Sequence, residues 1–585
     1  MRRVEHTPAR ARLFSFCGGG LMSNKLKLYP VEKFSSIREM LALAEKEAPD
    51  TYAFKYKPGE KTASGDPVVV SVTYKEFVNT TRAIGTALYE RGYHGGVHVA
   101  CIGENSYNWV CVYLSTLAGD NVFVPIDKEL PLAELLNVLQ RSGSTVVFCT
   151  AKFEKIINEN KAQLPDIKLI IRTDNDDFSK LIAEGESELK KGCRGYLDSH
   201  SGEYDMKMLV YTSGTTGLSK GVMLSEHNLV SSVYYGLQVS TIYDTGLSIL
   251  PYHHTYEAVC SLLVSLHHHS TICINDSVRA VLQNFKLFKP THVYLVPALA
   301  EMFYKRIWRT VEEQGKAKQL KMLISVSNGL RKVGIDARRT LFKTIHDTFG
   351  GRLRKIVCGG APIRPEVNKF FDDIGISLIN GYGITECSPL VAANREECNT
   401  YNTAGLKLPC IDIKIDNPDE FGNGEICVKG DVVMLGYYND PERTAEVLQD
   451  GWFRTGDYGH LNDLGQITIT GRKKNIIVLN NGKNIYPEEI EEYIMIIPYV
   501  NEVVVYATKD EDGNQNGLCA EAYLDEQKLT EMGITEPEKR FKADVFEALK
   551  DLPVYKQVGT VVLRKTEFEK NSSRKIKRSL IGNNK

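Results

Sequence analysis

No apolar run in this 585-residue chain approaches the ~18 residues that a membrane-spanning helix needs. There is no surplus of either charge: 72 Lys and Arg against 73 Asp and Glu leave a net charge of -1. Without a basic stripe, nucleic acid is not an expected partner. The 13 cysteines are odd in number and scattered, with no Cys-x-x-Cys pair. That pattern excludes a disulfide framework and fits reduced thiols in a cytoplasmic protein. No fixed-period repeat is present, and no Gly-Lys-Ser/Thr follows four spacer residues as a Walker A loop requires. What remains is a long, evenly charged chain. At about 100–200 residues per domain it holds several packed units.

Residues 1–21 carry Arg2, Arg3, Arg10 and Arg12, then Gly18-Gly19-Gly20. An arginine-rich transit segment is one reading; Glu5 and the single turn of apolar residues weigh against it. The favoured reading starts translation at Met22, because a purine-rich ribosome-binding sequence read in frame yields glycines just upstream. Residues 1–22 are therefore expected to be an extension, untranslated or disordered.

From residue 29 to about 206, apolar strands (97–102, 121–126, 145–149, 168–172) alternate with helical patterns (107–118, 132–141). The alternation resumes with helices at 227–236, 257–266 and 298–310 and strands at 246–250, 271–274 and 293–296. Such alternation predicts parallel sheets covered on both faces. From Thr403 the texture becomes short β runs at 411–415, 425–428 and 466–470. After Gly471-Arg-Lys-Lys-Asn the tail has its own α+β pattern. The expected fold is α/β: a large N-terminal domain (23–473) of two mixed or parallel sheets with flanking helices and a small β-rich region. A small mobile α+β domain (474–585) follows.

The chemistry collects in a few stretches. After the apolar strand 208–211 comes Thr-Ser-Gly-Thr-Thr-Gly-Leu-Ser-Lys-Gly at 212–221. Thr212, Ser213, Gly214, Thr215, Thr216, Gly217 and Lys220 give one loop of close-approaching backbone, hydroxyls and an ammonium, the groups a polyphosphate needs. A plain polar surface loop fits those residues equally well. The expected strand 353–357 runs into Cys358-Gly359-Gly360-Ala361, where a flat ligand can lie against backbone. The strand 376–379 runs into Asn380-Gly381-Tyr382-Gly383-Ile384-Thr385-Glu386. There Asn380 can pair with an adenine, Tyr382 can stack on it, Thr385 can meet a phosphate, and Glu386 can hold a Mg²⁺ that bridges phosphates. The bland alternative is a Gly-rich turn with a capping Thr and a solvated Glu. Asp457, in Gly451-Trp-Phe-Arg-Thr-Gly-Asp, can accept two ribose hydroxyls or simply form an Asx-turn. Ser573-Arg-Lys-Ile-Lys-Arg closes the chain as a basic tail.

Taken in order, the stretches at 211–221, 250–257, 359–362, 380–386, 451–457, 471–491 and 573–577 resemble the adenylate-forming superfamily: acyl-CoA synthetases, firefly luciferase and the adenylation domains of peptide synthetases. The resemblance covers residues 29 to 578. Leu-Pro-Tyr-His-His-Thr-Tyr-Glu at 250–257, Asn-Gly-Tyr-Gly-Ile-Thr-Glu-Cys-Ser-Pro at 380–389 and Arg-Lys-Ile-Lys-Arg at 574–578 look most like long-chain fatty acid–CoA ligases. The resemblance implies that a carboxylic acid attacks ATP to give acyl-AMP and pyrophosphate, and that a thiol, coenzyme A, then displaces AMP. It implies that residues 212–220 grip the β- and γ-phosphates, Glu386 holds Mg²⁺ and Thr385 contacts the α-phosphate. Asp457 takes the ribose hydroxyls with help from Arg472. Lys575 reaches from the small domain to the α-phosphate and carboxylate, although Arg574 stands where much of the superfamily has glycine. Lys474 matches the hinge about which the small domain turns, bringing the face around Gly482 to a thiol channel.

His254 matches a ring gating that channel, with a packed core histidine the alternative reading. Tyr256, Val296, Pro297 and Gly359 are candidates for the acyl-pocket wall. His267-His268-His269 read as a solvated helix end and Cys387 as a non-nucleophile. The expected partners are small molecules (fatty acid, ATP and coenzyme A). Peripheral membrane contact is open, since fatty acids partition there, but no amphipathic anchor stands out. Oligomeric state is silent. Two rivals remain: a ligase for another acid or for a carrier-protein thiol, and a nucleotide-binding protein without turnover.

Overall fold

The computed structural model describes residues 27–62, 64–212, 219–478, 484–509, 515–570 and 576–581. Uninterrupted apolar runs form the middle strands of two large sheets. In the seven-stranded sheet, Met206–Thr212, Val122–Ile126, His98–Ile102, Val146–Cys149 and Leu169–Arg172 run parallel. Every residue of Val122–Ile126 and Val146–Cys149 is buried, as strands covered on both faces require. The nine-stranded sheet has a parallel centre in the order Ser377–Gly383, Lys355–Cys358, His292–Leu295, Thr245–Ser248, Thr271–Ile274, Tyr52–Tyr56. Antiparallel strands close both of its edges.

Helices cover these sheets, and their starts are written locally. At Thr73 the side chain accepts from the Glu76 N–H while the Glu76 carboxylate accepts from the Thr73 N–H, opening the helix Tyr74–Glu90. The helix Asp176–Lys190 crosses it so closely that a Cβ on Gly185 would lie 1.8 Å from the Ala83 carbonyl oxygen. Beyond the two sheets, Ile411–Asp416, Gly424–Gly430, Trp452–Leu461, Leu448–Gln449 and Ile467–Arg472 form an antiparallel sheet. Residues after Ile477 share a core of their own: Ile490, Ile494, Tyr499, Val503, Phe541, Val545 and Leu549. Among the described residues, no helix is long and apolar enough to cross a membrane.

Three expectations are corrected. The Gly-rich stretch joins two antiparallel strands, Met206–Thr212 and Lys220–Ser225, with Thr212 opposite Lys220. Lys220 is therefore a strand residue rather than part of a free loop. The expected α-helix at 257–266 is a π-helix, Tyr256–Leu263, continuing as Val264–His267. Its residues 257–263 are all buried, so there is no one-sided stripe from which to read a period. His267 is not a solvated end. It is buried, its Nε2 lies 2.9 Å from the Glu32 carbonyl oxygen, and its ring packs 4.3 Å from Phe34, because the segment before residue 36 folds across it.

Two buried histidines are expected to make the fold acid-sensitive. His292 lies in the nine-stranded sheet with neither ring nitrogen partnered among the described residues, and burial holds its pKa down to about 3 from 6.5. Burial likewise holds His267 to about 4. The unfolded chain therefore takes these protons first. Stability is complete above pH ~6.5 and is lost as pH falls toward the folded values, at up to about 1.4 kcal/mol per pH unit for each histidine. The urea midpoint is expected to fall between pH 6.5 and 4.5, and His292→Leu to flatten that slope; an unchanged slope in the variant would place the acid sensitivity elsewhere.

Candidate active site

Parallel neighbours place the loops at their carboxyl ends on one edge of the sheet, where ligands bind in such folds. Thr245–Ser248 leads to His253 and His254. His292–Leu295 leads to Val296 and Pro297, Lys355–Cys358 to Gly359, Gly360 and Ala361, and Ser377–Gly383 to Thr385 and Glu386. The Tyr256 hydroxyl donates to the Val357 carbonyl (3.0 Å), which lays its ring over Gly359. A Cβ on Gly359 would come within 3.1 Å of that ring, and one on Gly360 (φ +87°) would meet Val296 at 3.9 Å. The backbone N–H of Tyr256 donates to His254 Nδ1 (3.2 Å), so a neutral His254 carries its proton on Nε2. Glu257 is fully enclosed beside Ser248 Oγ (2.6 Å), and burial raises its pKa to about 8, so it is protonated at neutral pH.

Asn380 is buried. Its Nδ2 donates to the Thr403 carbonyl (3.2 Å), while its Oδ1 has no partner among the described residues. An unpaired buried acceptor is costly, and an exocyclic amine would satisfy it. Gly381 and Gly383 pair with Ala393 and Leu390, and a Cβ on Gly383 would lie 2.4 Å from the Pro389 carbonyl oxygen.

The charges come next. Strand pairing aims Lys220 at Glu386, with Nζ 2.5 Å from Oε1. The Tyr437 hydroxyl accepts from Lys220 (2.6 Å) and donates to the same carboxylate oxygen (3.0 Å). Burial, then the Glu386 charge, pushes the Tyr437 phenol far up, so it stays protonated. Tyr437 went unnoticed in the sequence: it comes from a two-residue edge strand opposite Val222, and no motif surrounds it. Thr385 Oγ1 stands 3.5 Å from Thr255 Oγ1. Thr212 Oγ1 is buried without a partner among the described residues.

A second buried carboxylate, Asp457, accepts from the Tyr382 hydroxyl (2.7 Å) and from Arg472 Nε (2.8 Å). Asp457 and Arg472 are opposite each other on paired strands. Tyr382 is itself buried, so ring and carboxylate form one unit. Just beyond, burial and then the Arg472 charge lower the Lys474 ammonium pKa. Three cations around two carboxylates suit a polyanion that also offers hydroxyls. Among the described residues no three His, Cys, Asp or Glu gather to hold a metal. Glu386 alone fits a Mg²⁺ that arrives on substrate phosphates and needs only one or two protein carboxylates. Ser213, Gly214, Thr215, Thr216, Gly217, Gly482 and Lys575 lie outside the described residues.

Comparison with known proteins agrees on one family. The model for AMP-binding enzymes matches residues 44–438. Long chain acyl-CoA synthetase 7, peroxisomal, of Arabidopsis thaliana is 28% identical over 503 residues, 80% of this chain and 70% of that one. The long-chain-fatty-acid–CoA ligase FadD15 of Mycobacterium bovis is 28% identical over 461 residues, 75% of this chain and 76% of that one. Among solved structures, the anthranilate CoA ligase AuaEII in complex with anthranoyl-AMP superposes with a TM-score of 0.74 at 18% identity, covering 96% of this chain and 98% of that one.

The Lys220–Glu386 contact can be tested without a ligand. Lys220→Met leaves a largely buried carboxylate without its cation and is expected to cost about 1–3 kcal/mol in chemical denaturation. Adding Glu386→Gln should recover most of that loss; strictly additive losses would mean that the two groups are not coupled.

Proposed function

The chain belongs to the AMP-binding enzyme family, and on that premise we propose that it activates long-chain fatty acids as acyl-AMP and passes the acyl group to coenzyme A. The observation that carries the reading is the meeting, where three sheets converge, of the Lys220–Tyr437–Glu386 cluster with the Asp457–Arg472 pair, joined through Tyr382, beside an apolar wall. Relatives named as long-chain acyl-CoA synthetases and fatty acid–CoA ligases support the choice of acid. Small-molecule substrates (acid, ATP and coenzyme A) suit such a site.

In the first half-reaction a carboxylate oxygen attacks the α-phosphorus, the bond to the bridging oxygen breaks, and pyrophosphate leaves. Both reactants are anions, so positioning and charge stabilisation carry most of the catalysis. Residues 212–220 hold the β- and γ-phosphates, with Lys220 turning to them from Glu386. Mg²⁺, held by Glu386, supplies charge neutralisation on the phosphates. Thr385 meets the α-phosphate, Asn380 and Tyr382 bind the base, and Asp457 with Arg472 takes the ribose. Gly359, Gly360 and Ala361 let the nucleotide and acyl chain lie on backbone beside Tyr256, Val296 and Pro297. Lys575 neutralises charge between carboxylate and α-phosphate. In the second half-reaction the thiol sulfur attacks the acyl carbonyl carbon, AMP leaves and the thiol proton is lost, with His254 at the thiol's entry. Residues 474–585 move between the two steps about Lys474, which stands in a single short turn after the strand Ile467–Arg472.

Exchange of labelled pyrophosphate into ATP, measured with acids from acetate to oleate and with aryl acids, tests the reading. Exchange that favours long fatty acids, followed by AMP release on adding coenzyme A, is the expected result. Exchange that ignores coenzyme A would point to a carrier-protein thiol, and exchange with none of the acids would remove the proposal. Lys575→Ala should lower exchange by at least ~10²-fold, while thioester formation from supplied acyl-AMP is retained. Equal loss of both half-reactions would remove the role given to Lys575.

A further inference from the structure

We infer that the helix Ala317–Lys332 docks on an anionic lipid surface. A helix on a protein surface normally turns its apolar stripe inward and its polar face outward. This one does turn Leu320 into the core formed with Phe303 and Ile307. A second apolar stripe faces outward: Met322, Val326 and Val333 are 59%, 49% and 72% exposed. Met322 and Val326, at i and i+4, share one line along the helix, and Val333 caps its C-terminal end. Exposed Lys318, Lys321 and Lys332 flank that line.

The charge is as local as the apolar stripe. Residues 315–335 carry Lys316, Lys318, Lys321, Arg331 and Lys332 with no Asp or Glu, in a chain whose net charge is -1. Arg331 turns inward to Asp372 (3.1 Å). The four lysines are exposed; Lys321 reaches back over the Trp308 ring (5.9 Å to its centroid), and the stems of Lys318 and Lys332 can lie beside the apolar stripe with their ammonium groups at its rim. A polar face of lysines beside exposed Met and Val is the pattern of a helix that lies in a membrane interface. Headgroups of negative lipids complement it. A second copy of the chain on the same face would set lysine against lysine, so self-association is the poorer occupant.

The position of the helix gives the surface a use, and that use rests on the fatty-acid reading. The preceding helix, Pro297–Glu313, begins at Val296 beside Gly360, and its ~25 Å length carries the chain away from the site toward the amino ends of the strands. Arg331 and Asn328 meet Asp372 and Asp373 at the far end of the helix Pro365–Asp373, so docking there would hold the chain at a membrane, where fatty acids dissolve, with the site left uncovered. The patch is not legible in the sequence, because the apolar residues turned to the core and those turned to solvent belong to one helical pattern that does not say which is which.

Flotation of the full chain with vesicles, without ATP, tests the inference. Vesicles of phosphatidylcholine with added phosphatidylglycerol are expected to carry the protein, and pure phosphatidylcholine much less. Met322→Asp with Val326→Asp should lower the bound fraction at least about ten-fold, and Lys318→Glu with Lys321→Glu about five-fold per lysine. The melting temperature should be unchanged, since all four side chains are exposed. Equal flotation of the variants, or no flotation of the parent chain, overturns the proposal. So does a dimer that Met322→Asp splits, which would make the face a self-interface. Flotation without acid-dependent exchange would leave this surface standing and remove the catalytic reading; exchange without flotation would do the reverse.

Discussion

Two opposite charges face each other across the seam between the large sheets. Lys220 comes from the seven-stranded sheet, Glu386 from the end of a strand in the nine-stranded one, and both are largely shielded from water. Removing an ion from water costs several kcal/mol unless a partner offsets it, and here each charge is the other's partner. The pair therefore ties the sheets together at the point where their loops converge. Tyr437 strengthens it with a phenol that accepts from one charge and donates to the other.

The same logic recurs at Asp457, satisfied by Tyr382 and Arg472. In each case a polar group that a nucleotide could engage is already satisfied by the protein. A nucleotide bound there would exchange partners with these groups rather than fill an empty charged hole, and the unliganded protein keeps its charges paired. Asn380 is the exception, with its carbonyl oxygen unpaired in the core. An unsatisfied acceptor beside satisfied charges is the kind of local cost that a bound base would remove.

Around these groups the packing is organised by close approach. Tyr256 reaches across two strand ends to backbone carbonyls, and Gly359 leaves room for its ring. The π-helix that begins at Tyr256 keeps His254 tied to the backbone of the same turn. The positions of Tyr256 and of the His254 imidazole are thus set by one irregular helix, whose widened turn could not be told from an ordinary one in an apolar run.

Much of the architecture was legible from the chain alone. Uninterrupted apolar runs such as 122–126 and 146–149 specified buried parallel strands, and parallel strands oblige their following loops to share an edge. The motifs at 212–221, 380–386 and 451–457 pointed to the family through their resemblance, taken in order, to adenylate-forming enzymes; each alone also fitted a plain polar turn. Tertiary structure alone decided which groups meet. Lys220 pairs with Glu386 across 166 positions of sequence. Tyr437 joins them from a two-residue strand, and His267 is buried by a segment far away in the chain. Local patterns record backbone periodicity and the chemical type of each residue. Long-range contacts depend on how sheets twist and pack against each other, and that information is spread over the whole fold.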